Sequence, residues 1–370
     1  MAKKKICWIT SSFLLDVDIP IVPALQGSYH IDWIVLTTKA NRDGDKKLIE
    51  NAGCRHYEMV ENQGVFISPR KMLFYRQLLK KIKNGGYDLF YFDYMGMPYF
   101  LPMAQCMLPK EKIIIAAHNV KTPNGARYYW LAKPYMDYVI RMFRNFQVFS
   151  LNQLNLLRSL KKNANILYAP LCLKDYGIPT VKKPDVPISF LFFGNIVDYK
   201  RLDLLLQATR IMNDKGVKGF KVQISGYCRP EKWNEKYEPM LKGLDNVETD
   251  IRRIPNEVIP NLFENSHYFV MPYQDIAQSG AMTVALRYNI PIIASELDTF
   301  KEFMDGKDDG YFFAPGSAEL LAEMMIKALQ EHSNSYRSMR ENQANKVKEK
   351  LSHEAIIARY KEYIDGLCQN

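Results

Sequence analysis

Residues 267–302, HYFVMPYQDIAQSGAMTVALRYNIPIIASELDTFKE, constrain this chain more than any other stretch. His267 to Met271 reads as a buried strand stopped by Pro272. A polar turn carrying Gln278-Ser279-Gly280 follows, then an amphipathic helix, then a second buried strand from Ile290 to Ala294. A strand, loop, helix and strand in that order form the unit from which parallel sheets are built. Ser-Gly at the start of the helix leaves backbone N–H groups free at the positive end of the dipole, and glycine lets a ligand come close to the backbone. The turn therefore suits an anion, most plausibly a diphosphate; taken alone, it is also a plain N-cap. No G-x-G-x-x-G follows a strand here and no G-K-[ST] occurs, so neither a dinucleotide fingerprint nor a P-loop is present.

The same alternation runs through the whole chain. Residues 5–10, 32–37, 90–92, 113–117 and 147–150 read as buried strands with helical periodicity between them. Residues 182–187, KKPDVP, read as a linker between domains 1–182 and 187–350, and helix 352–367 is expected to pack back on the first. Beyond the linker, the strand ISFLFF ends at Gly194 and a loop with Asn195, Lys200 and Arg201 leads into a helix. The strand FKVQIS ends at Gly226, and Arg252 follows a short NVET stretch. The expected class is α/β, two doubly wound parallel sheets, with ligands at the carboxyl ends of the strands. Lys200 and Arg201 would then neutralise the anion held by the Ser279 and Gly280 N–H groups.

With 370 residues and 47% apolar content, two cores of ordinary size can form. Six cysteines without a C-x-x-C pair suggest neither a zinc site nor a disulfide framework and fit a reducing cytosol. No run is long and apolar enough for a transmembrane helix. Charge divides unevenly: residues 1–182 hold 26 Lys+Arg against 13 Asp+Glu, whereas residues 183–370 hold 24 against 27. A basic first half fits an anionic membrane surface, a phosphorylated acceptor or nucleic acid.

Helix 68–86 places Met72, Leu73, Leu79 and Ile82 toward one side and Arg70, Lys71, Arg76, Lys80, Lys81 and Lys83 elsewhere. It reads equally as a surface helix on an anionic bilayer and as a core-facing helix with a solvated cationic face. Residues 127–146 interleave aromatic with basic side chains, which suits core packing first and an acceptor or single-stranded nucleic acid surface second. His118 follows the strand KIIIAA, where a general base or a sugar-hydroxyl partner would stand.

In this order the motifs resemble the GT-B glycosyltransferases of glycosyltransferase family 4, most closely over about 187–330. FFGNIVDYKRLDLLLQA is similar to the family's phosphate-binding strand, loop and helix, VQISGY to its glycine-ended strand, and SGAMTVALRYNIPIIAS to its donor-binding helix and strand. The resemblance implies two Rossmann-like domains facing a cleft. It implies that Lys200 contacts the donor diphosphate, that Ser279 and Gly280 bind phosphate through the backbone, that Glu302 lies near the ribose, and that His118 stands beside the transferred sugar. Asn195 stands where the family commonly has arginine, Arg201 where it has glycine, and Ile276 and Val284 where it has glutamates. No metal or resident cofactor is implied, and Asp43-Gly-Asp45, though DxD in form, reads as a solvated turn.

The expectation is a retaining, metal-independent hexosyltransferase. It would move a sugar from a UDP- or GDP-linked donor to a glycan or lipid-linked acceptor in polysaccharide or lipopolysaccharide assembly. It would work in the cytoplasm, peripheral to the inner membrane face, with no nucleic acid partner. A sugar-nucleotide epimerase on the same architecture, or a catalytically silent sugar- or nucleic-acid-binding protein, are the alternatives.

Overall fold

The computed structural model describes residues 3–369 apart from 55, 65, 66 and 123–127. Arg127, the first residue of the aromatic-basic stretch, therefore lies outside the described residues. The chain forms two compact units, one of residues 1–172 with 353–370 and the other of residues 173–352. The change of unit at Cys172 falls ahead of the KKPDVP stretch. Residues 173–183 are tied into the second unit: Thr180 N donates to Asn261 Oδ1 at 2.7 Å and Lys183 Nζ to the Glu264 carbonyl at 2.7 Å.

Unit 1 carries a seven-stranded parallel sheet, β1 (Lys5–Ser11), β2 (His30–Thr37), β3 (Tyr57–Glu61), β4 (Leu89–Asp93), β5 (Ile113–Ala116), β6 (Asn145–Val148) and β7 (Asn165–Tyr168), in the order β3-β2-β1-β4-β5-β6-β7. Successive residues of a strand point to opposite faces, and both faces are covered here. Cys7, Ile9, Ile34, Phe90 and Phe92 enter one core cluster, while Ile6, Trp8, Trp33, Leu89 and Tyr91 enter the other. Helix His353–Gln369 closes the second face; its Tyr360 is buried and accepts from Gln147 Nε2 at 2.5 Å.

Unit 2 carries a six-stranded sheet, β8 (Ile188–Phe193), β9 (Phe220–Ser225), β10 (Val247–Asp250), β11 (Tyr268–Met271), β12 (Ile292–Ser295) and β13 (Gly310–Phe313), in the order β10-β9-β8-β11-β12-β13. All pairings are parallel, and β8, β11 and β12 are near-continuous apolar runs buried along their length. In each sheet the order reverses once, between β1 and β4 and between β8 and β11. Such a switch point is where an open parallel sheet leaves a crevice for ligands.

Three local expectations change. In helix Pro69–Lys83 the buried face is Lys71, Phe74, Tyr75, Leu78, Leu79 and Ile82, whereas Met72 and Leu73 are exposed, Leu73 at 54%. The aromatic pair Phe74 and Tyr75 carries more apolar area than Met72 and Leu73 and decides the face. Lys71, read as part of the cationic surface, is 6% exposed and its ammonium bonds Asn62 Oδ1. Asp43-Gly-Asp45 is not a solvated turn but the start of helix Arg42–Asn51, and buried Asp45 accepts from the Thr37 hydroxyl.

Candidate active site

The switch point of unit 2 gathers the residues that the sequence singled out there. Strand β8 ends at Gly194, whose φ of +101° favours glycine. A Cβ at this position would lie 3.1 Å from Lys200 Nζ, so the missing side chain is the space the ammonium uses. Gly226 ends β9 with φ +153°, and a Cβ there would lie 2.0 Å from the Gly194 carbonyl oxygen. The two glycines thus let two loops close on each other at the carboxyl edge of the sheet.

Lys200 closes a short 3-10 turn, Asp198–Lys200, and is 7% exposed. Among the described residues no carboxylate pairs with it; its Nζ sits 5.3 Å from the centroid of the buried Tyr273 ring. Burial alone lowers its pKa to about 8. The Gln274 N–H donates to the Tyr199 carbonyl at 2.7 Å, which ties the Lys200 turn to the loop leaving β11. That loop ends at Ser279, the N-cap of helix Gly280–Arg287, whose Oγ accepts from Met282 N at 3.2 Å. Gln278 is half-buried just ahead of it.

Lys174 is a residue that sequence reasoning missed. Its Nζ lies 3.2 Å from where a Cβ on Gly280 would stand, so Gly280, like Gly194, is a glycine against which a lysine head rests. No local pattern signals Lys174, because it precedes the first strand of its unit and reaches the site only through the fold.

The other candidate residues stand differently. Arg201 adopts φ +50° and its guanidinium pairs with Asp203, with Nε 3.1 Å and Nη2 2.9 Å from Oδ2, so its charge is already met by a carboxylate. Arg252 is exposed and paired with Asp250 at 2.7 Å. Asn195 is exposed after Gly194, and Glu302 is half-buried at the end of the short helix Asp298–Lys301. Val284 is 1% exposed within the core cluster, and the Ile276 carbonyl accepts from Thr299 Oγ1 at 2.7 Å. Where the resemblance set a glutamate at Val284, this chain has core.

In unit 1, His118 lies two residues beyond β5 with its side chain 17% exposed. Its Nε2 is 2.7 Å from Oδ1 of Asp93, the last residue of β4, and its ring stacks on Phe149 with centroids 4.4 Å apart. Asp93 was not singled out from the sequence; its only signal there is a carboxylate closing an otherwise apolar strand. Among the described residues no group of three or more His, Cys, Asp or Glu is placed to hold a metal ion.

Two Rossmann-like parallel-sheet units, the second with strands that end at glycines, are the architecture of the GT-B fold. Residues 187–331 match the model of the family described as glycosyl transferases group 1. Solved structures agree on the fold over the whole chain. Sucrose-phosphate synthase from Thermosynechococcus elongatus is similar at 15% identity, with 99% of each chain covered and a TM-score of 0.76. Anabaena HepE, solved in complex with UDP and glucose, is similar at 13% identity, covering 98% of this chain and 99% of that one, with a TM-score of 0.73. The lipopolysaccharide outer core galactosyltransferase WaaB is similar at 12% identity, covering 98% and 99%, with a TM-score of 0.70. No curated protein matches the chain by sequence.

Proposed function

We propose that this protein transfers a sugar, with retention and without a metal ion, from a UDP- or GDP-linked donor held by unit 2 to an acceptor held by unit 1. The observation that carries the reading is Lys200: a buried ammonium with no carboxylate partner among the described residues, set against Gly194 at the switch point in a turn hydrogen-bonded to the loop that leads to Ser279. An uncompensated buried charge destabilises a fold, so its presence is accounted for by the anion it awaits. A diphosphate there would meet Lys200 and the N–H groups of the helix. As the donor bond breaks, charge grows on the leaving phosphate, and preorganised donors of this kind stabilise it most. His118 is the group of unit 1 that would meet the reacting sugar. The HepE complex with UDP and glucose supports a nucleotide-sugar donor.

The acceptor is proposed to be a glycan or a lipid-linked glycan of a surface polysaccharide or lipopolysaccharide, met at the inner membrane face. Exposed Ile67, Met72 and Leu73 stand among the exposed cations Arg70, Arg76 and Lys80, a combination that suits an anionic bilayer. No described helix is long and apolar enough to cross a membrane.

The test is a thermal-shift panel of UDP, GDP, ADP and CMP, followed by the matching sugar nucleotides with product analysis. A ligand at about 100-fold its dissociation constant stabilises by roughly 2.7 kcal/mol. A rise with UDP or GDP and transfer of its sugar are expected; no rise with any nucleotide would sink the reading. Binding to anionic vesicles should fall as salt is raised, and salt-indifferent binding would remove the membrane clause.

A further inference from the structure

Unit 1 has an open cavity of about 440 Å³ between β7, an edge strand paired only with β6, and helix His353–Gln369. Small-molecule sites span roughly 300–1,000 Å³, so the space is of ligand size. None of the residues placed in the candidate active site lines it. Ile166 and Leu367 give it an apolar wall, and the Tyr363 hydroxyl donates to the Asn165 carbonyl at 2.9 Å, which holds helix to strand.

Two charged side chains line the cavity, Arg359 and, three residues further along the helix, Glu362. The Arg359 guanidinium lies over the Tyr168 ring, 5.1 Å from its centroid. Its Nη1 is buried with no hydrogen-bond partner, and among the described residues no hydrogen bond or ion pair reaches the guanidinium at all. Glu362 is exposed and makes no ion pair with it. Arginine keeps its charge and carries its donors in one plane; the Tyr168 contact restrains that plane, and the donors remain to be met from the cavity. Leaving a buried donor of a charged group unmet is costly, which a ligand would relieve.

We propose that this cavity binds a sugar-sized carboxylate, a hexuronic acid or a glycan unit of that kind, with the carboxylate on Arg359. A planar carboxylate matches the guanidinium fork with two parallel hydrogen bonds. Glu362 selects the rest of the ligand: it repels a second negative charge, which disfavours phosphate dianions and polyanions, and it accepts from hydroxyls. The apolar wall takes the C–H face of the ring. The inference goes beyond the transferase reading and stands without it.

The test is titration of the full chain with glucuronate, glucose and inorganic phosphate, followed by calorimetry and saturation-transfer NMR. Glucuronate should bind, glucose at least about tenfold more weakly, and phosphate should not compete. Arg359→Gln and Arg359→Lys should each weaken glucuronate at least about tenfold, because the charge-assisted fork is lost in both. Leu367→Trp, which fills the cavity from another residue, should abolish binding, and Glu362→Gln should let phosphate compete, a change that a merely structural Arg359 would not produce. No binding of glucuronate by the wild type, equal binding of glucose, or glucuronate binding unchanged in Arg359→Gln or Leu367→Trp overturns the proposal. Phosphate competing in the wild type overturns the choice of a carboxylate. No donor is present in these titrations, so their failure and that of the transferase reading are separate results.

Discussion

The two units share a topology and differ in how they treat the charge at their strand ends. Unit 2 keeps Lys200 buried, with no carboxylate partner among the described residues, and tucked against Gly194. Unit 1 keeps His118 in contact with Asp93 and braced by Phe149. One edge stores an unbalanced charge for a ligand to complete; the other fixes the orientation of a side chain before a ligand comes. The same sheet order can therefore serve binding in one unit and alignment in the other, because the strands supply only the platform and the residues just past them supply the chemistry. Overall charge follows the division, with the lysine and arginine excess confined to residues 1–182.

The largest effect that would break this comparison is expected at Lys200. Lys200→Met keeps most of the side-chain volume and removes the ammonium. Transfer should fall at least 100- to 1000-fold, the scale seen when one donor to a developing anion is removed. The fold should gain stability at the same time. Burial depresses the Lys200 pKa to about 8 from 10.5, so native Lys200 carries its charge at a cost of about 1–3 kcal/mol. Below pH 8 both folded and unfolded lysine are charged and the whole cost is present. Between pH 8 and 10.5 the unfolded chain binds more protons than the native one, stability of the wild type rises with pH, and the advantage of the methionine fades. Urea unfolding of both proteins at pH 7 and near pH 10 measures it. A methionine variant less stable than wild type at pH 7 would mean that Lys200 is a structural cation with a partner, and the contrast between the units would go.

Much of this was legible in the sequence because parallel strands covered on both faces must be apolar runs. KICWIT, DWIVLT, IIIA and ISFLFF announce themselves, and the turn residues beyond them locate the strand ends. Strands β3 and β7 were not singled out, since edge strands are half-buried: YEMVE mixes acidic with apolar residues, and in the four-residue NILY only Leu167 is buried. The face of helix Pro69–Lys83 was misjudged because a 3.6-residue period fits two neighbouring stripes, and only the bulk of Phe74 and Tyr75 in the core decides between them. Lys200, Ser279, Gly280 and His118 could be named because each sits next to a strand or helix end. Asp93 and Lys174 could not be tied to the site, since what matters in them is a neighbour far away in sequence: His118 for the first, Gly280 for the second. Pairing of charges was likewise illegible, and it is what separates Lys200 from Arg201.

That separation gives the smallest prediction and the sharpest one. Arg201 holds a left-handed backbone conformation that costs an ordinary residue about 1 kcal/mol and glycine nearly nothing. Its fork to Asp203 returns something under about 1 kcal/mol, because the pair is partly exposed. Glycine also has more freedom to lose on folding, about 0.5–1 kcal/mol relative to alanine. Arg201→Gly should thus leave stability within about 0.5 kcal/mol of wild type, and because its guanidinium already belongs to Asp203, the donor KM should move less than about threefold. A tenfold or greater rise in donor KM, with kcat and stability kept, would show that Arg201 leaves Asp203 for the diphosphate when the donor arrives. The unbalanced charge of unit 2 would then be shared between two residues, and Lys200→Met would be expected to cost transfer less than the full amount.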